Sequence, residues 1–220
     1  MHRSGLNPRL LLALLVLVIV AGGVALLAGG GSSGAKSSGL ATASNSKNTA
    51  YRAEAVLSPP TQAPPLALRN YLGQPVDLES YRGKAVLVTF LYTNCPDICP
   101  LITSNLRVAQ NLMSKSALAK TQIIAVSVDP KGDTPKAVAA FLARHEMTGR
   151  MQYLVGSASE LARVWKAWGV GSQRDVQQPQ FVNHSGLIYG ITASGRRTTL
   201  YTASFRPAAV AHDAPLLATH

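Results

Sequence analysis

Two cysteines in 220 residues are too few for a disulfide-dense scaffold or a four-cysteine zinc site, leaving one disulfide, one redox pair or one small metal site. Acidic residues are scarce too: 10 Asp and Glu stand against 21 Lys and Arg, for a net charge of +11. Charged residues are only 14% of the chain and hydrophobic ones 47%, which excludes a wholly disordered polymer. The 18 Gly and 13 Pro, irregularly placed, exclude collagen-like and low-complexity repeats, and no internal repeat is evident. What is left is one compact domain of about 150 residues with an appendage. By itself the basic excess fits nucleic acid, an anionic membrane surface or an acidic partner.

The appendage is at the amino end. Leu10 to Ala28 is uninterrupted apolar, about nineteen residues or about 28 Å as a helix, which matches the hydrocarbon thickness of a bilayer. Arg3 and Arg9 precede it and no charge follows before Lys36, so the positive-inside rule leaves residues 1–9 as a cytoplasmic tail. A cleaved signal peptide has a shorter apolar region of about 7 to 15 residues, and the A-x-A match, Ala41-Thr42-Ala43, lies well past the run. The expectation is an uncleaved, single-pass transmembrane helix over 10–28 in the plasma membrane, with the remainder on the extracytoplasmic, periplasmic side. Residues 29–64, Gly- and Ser-rich and then Pro-rich, read as a flexible tether that stiffens toward a domain over 65–220. With Arg3 and Arg9 inside, the external part carries +9. An external location and the lack of a basic-aromatic stripe argue against nucleic acid and for a basic surface near anionic headgroups.

Within the domain, Ala85 to Leu91 is a continuous apolar, β-branched run, the mark of a strand buried on both faces. Ile123 to Val128 is a second. Leu101, Ile102, Leu106, Ala109, Leu112 and Met113 recur at helical spacing. Thr134 and Pro135 open a helix reaching about His145, with Thr as cap and Pro at its first position. Gln152 to Val155 reads as a short strand, Ser159 to Trp168 as a helix capped by Ser159, and Pro207 to Leu217 as a last helix. Leu187–Thr192 and Thr198–Thr202 form a hairpin turning at Ser194-Gly195. Strands alternating with helices, then a hairpin and a closing helix, describe an α/β sheet of thioredoxin-like type.

Cys95 and Cys99 fall where the first strand turns into a helix. Four residues apart, their side chains share one face, about 5 to 6 Å between Cβ atoms, within reach of one bridging metal ion or a disulfide. A helix amino terminus favours thiolate, which is both nucleophile and metal ligand. Pro96 and Pro100 keep the residues before them out of helical geometry, which predicts Cys95 in the loop and Cys99 at the helix start. A plain loop-closing disulfide is the bland alternative, though so short a loop gains little by closure. Tetrahedral zinc wants more donors than this chain offers, whereas Cu(I) is satisfied by fewer. Among the five histidines, His184, just before a late strand, is the one the fold would bring against the cysteine turn. Asp129 and Asp133 read as turn and capping residues, and Trp165 and Trp168 as packing.

The segments Tyr92-Thr-Asn-Cys95-Pro-Asp-Ile-Cys99-Pro100, Val126-Ser-Val-Asp129-Pro-Lys-Gly-Asp133-Thr-Pro135 and Val182-Asn-His184-Ser185 occur in that order. Over about residues 65 to 215 they resemble the SCO/SenC family of membrane-anchored, thioredoxin-like copper proteins that help assemble the CuA centre of cytochrome c oxidase. Leu72-Gly-Gln-Pro-Val-Asp-Leu and Tyr81-Arg-Gly-Lys84 resemble the family's opening hairpin. The resemblance implies copper, as Cu(I) and also Cu(II), on Cys95, Cys99 and His184, and a redox-active disulfide between Cys95 and Cys99. Asp97 takes the place of the acidic residue between the cysteines. Asn183 stands where many members have Asp, and Gly169 to Phe181 is also less typical; both bear on the surroundings of His184.

Three functions follow as expectations. The first is a copper chaperone passing its metal to the copper-bearing oxidase subunit. The second is a thiol-disulfide oxidoreductase that keeps that subunit's cysteines reduced, against which stand the missing C-x-x-C and Asn183-His184 where the fold's cis-proline is expected. A peroxidase of peroxiredoxin type has Thr93 two residues before Cys95 but no arginine that the sequence brings to it.

Overall fold

The computed structural model describes residues 50–174 and 182–220. The tail and anchor read at 1–28 and the tether over 29–49 lie outside the described residues. Among the described residues no helix is long and apolar enough to cross a membrane.

The strands are β1 (Ala55–Gln62), β2 (Ala67–Asn70), β3 (Pro75–Asp77), β4 (Ala85–Leu91), β5 (Thr121–Ser127), β6 (Gln152–Val155), β7 (Ser172–Arg174), β8 (Val182–His184), β9 (Ile188–Ile191) and β10 (Arg196–Tyr201). The helices are α1 (Ile98–Leu112), α2 (Lys115–Ala119), α3 (Pro135–Arg144), α4 (Ala158–Trp168) and α5 (Pro207–Leu217). Eight strands form one sheet in the order β1-β10-β9-β4-β5-β6-β2-β3, and β7 pairs with β8 apart from it. At its centre β4, β5 and β6 are parallel, flanked by antiparallel β9 and β2. This is the mixed α/β, thioredoxin-like architecture expected of the alternating pattern.

The all-apolar run sits where its composition demands: every residue of β4 is buried, in register with β5 from Ala85 opposite Thr121 to Leu91 opposite Ser127. One face of α1 buries Cys99, Ile102, Leu106 and Ala109 against the sheet. Across the sheet, Trp168 packs at 5.9 Å from Phe90 and 5.4 Å from Tyr189, ring centre to ring centre, so the tryptophan is core. Thr134 caps α3 by accepting from the Ala137 N–H, with Pro135 at the first position.

Several elements differ from the sequence expectation, among them β7 and β8, for which the sequence pattern gives no strand and the second of which contains His184. Ala55–Gln62, read as tether, is edge strand β1, paired with β10 from Ala55 opposite Leu200 to Gln62 opposite Arg196. Its Pro59 and Pro60 disguise it, and an edge strand tolerates them because one side makes no ladder bonds. Helix α4 is capped by Ser157, not Ser159: the Ser157 hydroxyl accepts from the Glu160 N–H while Glu160 Oε2 accepts from the Ser157 N–H at 2.9 Å, closing a capping box. Finally, the short helix α2 stands between α1 and β5, capped by Ser114.

Candidate metal centre

At the carboxyl end of β4 the chain turns through Tyr92, Thr93 and Asn94 to Cys95, then enters α1 with Asp97 as cap, accepting from the Ile98 N–H. Cys95 is therefore in the loop and Cys99 in the first turn, as the two prolines predict. The pair is close: the Cys99 N–H donates to Cys95 Sγ at 3.3 Å, and Asp97 Oδ1 lies 3.8 Å from that same sulfur. Cys95 is 7% exposed and Cys99 fully buried, both as thiols. The hydrogen bond to Cys95, then burial, hold the Cys99 thiol far above the ordinary range. At Cys99 the reactive thiolate expected of a helix start thus gives way to a thiol, because the hydrogen bond to Cys95 and then burial outweigh the helix terminus.

Two residues whose roles the sequence did not disclose organise this turn. The buried Tyr92 hydroxyl accepts from the Val182 backbone and donates to the Cys95 sulfur, and burial above all pushes the phenol up to about 12. Through Tyr92 the cysteine turn is tied to β8, the strand that ends at His184. Asp133 is the second, and it is no cap. Its Oδ1 accepts from the Thr93 N–H at 2.7 Å, and its Oδ2 from Ser127 Oγ at 2.6 Å and Tyr153 Oη at 3.0 Å. Burial raises its carboxyl above the ordinary value against the pull of those donors. Asp129 keeps the expected turn role, its Oδ1 accepting from the Lys131 N–H at 3.2 Å.

In β8, His184 lies opposite Ser172 of β7. The side chains of Asn183 and His184 lie outside the described residues, but the segment that follows them is fixed. A Cβ on Gly186 would stand 3.2 Å from Ile98 Cδ1 and 3.3 Å from Ala203 Cβ, so this backbone rests on the first turn of α1. Thr89 Oγ1 donates to the Leu187 carbonyl at 3.1 Å, binding the same loop to β4. Two of the three predicted ligands are thus brought into contact, and the backbone leading away from the third packs on the helix that carries Cys99. Among the described residues, no group of three His, Cys, Asp or Glu side chains is arranged to hold a metal.

Residues 56–217 match the profile of SCO1/SenC. The chain belongs to the SCO1/SenC family. The bovine mitochondrial SCO2 homolog is 33% identical over 126 residues, 56% of this chain and 47% of that protein. The matched stretch thus spans about half the length of the curated relatives. Among solved structures, apo Sco1 from Thermus thermophilus superposes with a TM-score of 0.66 at 26% identity, covering 80% of this chain and 100% of that one. ScoI of Bradyrhizobium japonicum with copper bound superposes at 0.59 and 27% identity, covering 71% and 99%. The SCO1/SenC match begins at residue 56, inside β1.

Proposed function

We propose that this chain is a membrane-anchored, extracytoplasmic copper chaperone that carries copper on Cys95, Cys99 and His184 and delivers it to the CuA centre of cytochrome c oxidase. The observation that carries the reading is the contact of the two cysteines at the end of the central strand, with the strand of His184 tied to the same turn by Tyr92. Two soft sulfurs and an imidazole make a three-donor set suited to Cu(I) and too small for structural zinc. The copper-bound relative from Bradyrhizobium japonicum supports the metal, and the family supports the oxidase subunit as recipient.

The chain's own residues have definite tasks in this reading. Cys99 must give up its proton before its sulfur can bind. Asp97 and Tyr92, both at the Cys95 sulfur, set its orientation and the polarity around it. One observation favours a second reading: the Cys99 thiol is already hydrogen-bonded to the Cys95 sulfur, the pairing from which a thiol-disulfide oxidoreductase would cycle.

Titrating the full-length reduced chain in detergent with Cu(I) against a competing chelator separates the two. One copper per chain is expected, lost in Cys95→Ala and Cys99→Ala and weakened at least about tenfold in His184→Ala, the loss of one good donor. Full retention by His184→Ala would remove the histidine from the site. No copper above the chelator, together with disulfide exchange with a dithiol peptide, would favour the oxidoreductase.

A further inference from the structure

The two ends of the central parallel strands differ in charge. Around the cysteine turn, at the carboxyl ends, Asp97, Asp129, Asp133 and Glu160 are interspersed with Lys131, Lys136, Arg206 and, beside Glu160, Arg69 and Arg163, so charge of both signs is mixed there. At the amino ends cations stand with far fewer acids. Arg82 and Lys84 precede β4, Lys120 precedes β5, Arg150 precedes β6, and Arg196 and Arg197 open β10. These positions adjoin in space: the Gly83 N–H donates to the Ala193 carbonyl at 3.0 Å, the Ala85 N–H to the Lys120 carbonyl at 2.9 Å, and the Arg82 guanidinium lies against Gly195. Glu79 is taken up by Arg82, at 2.7 and 2.8 Å, and Glu146 by Arg107 at 3.1 Å. Among the described residues no carboxylate forms an ion pair with Lys84, Lys120, Arg150, Arg196 or Arg197.

The chain also enters the domain at this basic end. Tyr51 shares a shallow depression with Thr192, Ser194, Arg196 and His220, beside the β9–β10 turn. The next residue is clamped, the Arg52 N–H donating to both oxygens of the buried Asp213 carboxylate at 2.8 and 2.9 Å.

We propose that this basic end seats on an anionic lipid surface and so holds the cysteine turn away from the bilayer. The seven residues of β4, at about 3.3 Å each, set the turn about 20–25 Å above the headgroups. The proposal rests on the membrane-anchored reading for proximity, and on the charge distribution for orientation. Each basic side chain near such a surface is worth about 1 kcal/mol, about fivefold in occupancy, so a handful of them fixes a tethered domain's orientation.

Lysine acetylation with a membrane-impermeant reagent tests it, on the full-length chain reconstituted into phosphatidylcholine vesicles or into mixed phosphatidylcholine–phosphatidylglycerol vesicles. All four lysines compared are exposed: Lys84 and Lys120 at the basic end, Lys131 and Lys136 at the cysteine end. Lys84 and Lys120 should react about fivefold more slowly in the anionic vesicles, with Lys131 and Lys136 unchanged. At about 1 M salt, where the screening length falls to about 3 Å, the protection should vanish. Pairing Lys84→Glu with Arg196→Glu should abolish the protection of Lys120. Equal rates in both lipids, slowing at Lys131 and Lys136 instead, or protection conferred only by an added acidic protein would each overturn the proposal. Carbonate extraction reports the anchor separately: a chain released by carbonate yet still protected at Lys84 by anionic vesicles would sink the anchor and keep the docking.

Discussion

Asp133 gathers donors from three distant stretches, the Thr93 backbone before the cysteines, Ser127 at the end of β5 and Tyr153 in β6. Removing the carboxylate in Asp133→Ala orphans all three, for an expected loss of about 2–4 kcal/mol in urea unfolding. The buried carboxyl is raised, so the folded chain retains a proton that the unfolded chain releases near pH 4, about the ordinary carboxyl value. Its contribution to stability is therefore full below that pH and declines as pH climbs through the raised folded value. Asp133→Asn lacks that decline. Urea midpoints measured from about pH 4 to 7 should fall more for the native chain than for the variant, and parallel curves would refute the assignment. The cysteines and their prolines were legible from sequence because their geometry is local. Asp133 and Tyr92 were not, since their partners lie up to 40 residues away for Asp133 and in β8, at Val182, for Tyr92.

At the scale of elements the same division holds. β4, β5 and the β9–β10 hairpin announce themselves through burial on both faces or a tight turn, and Thr134-Pro135 marks the start of α3 at the residue where it begins. β1 escapes such a reading because its eight residues include two prolines and the strand it pairs with, β10, is far along the chain. Ser157 and Ser159 look alike in sequence, both close before an apolar periodicity; only the reciprocal bond with Glu160 separates them. Ser157→Ala should accordingly cost about 1 kcal/mol and lower the melting temperature by a few degrees, and Ser159→Ala close to nothing. Equal losses from the two would return the cap to Ser159.

For the whole molecule, the boundary of the domain is the correction with the largest practical effect. A fragment starting at residue 50 keeps β1 and the Arg52–Asp213 clamp, whereas one starting at 65 loses both, baring the β10 edge and leaving the buried Asp213 without two of its bonds. The shorter fragment should be less stable by about 2–4 kcal/mol and should self-associate through that edge, both visible by thermal melting and sedimentation. Equal stability and a clean monomer would mean that β1 is an ornament on the sheet.

The protonated sulfur of Cys99 has a consequence for recognition. In the proposed copper carrier, one monovalent Cu(I) held by both sulfurs takes the place of the protons of two thiols, so loading leaves the site one charge more negative. Loaded and empty forms then project different fields, and an acceptor drawn in by charge would approach the two at different speeds. Telling a laden carrier from a spent one would begin at a distance, before any atoms of the two proteins meet.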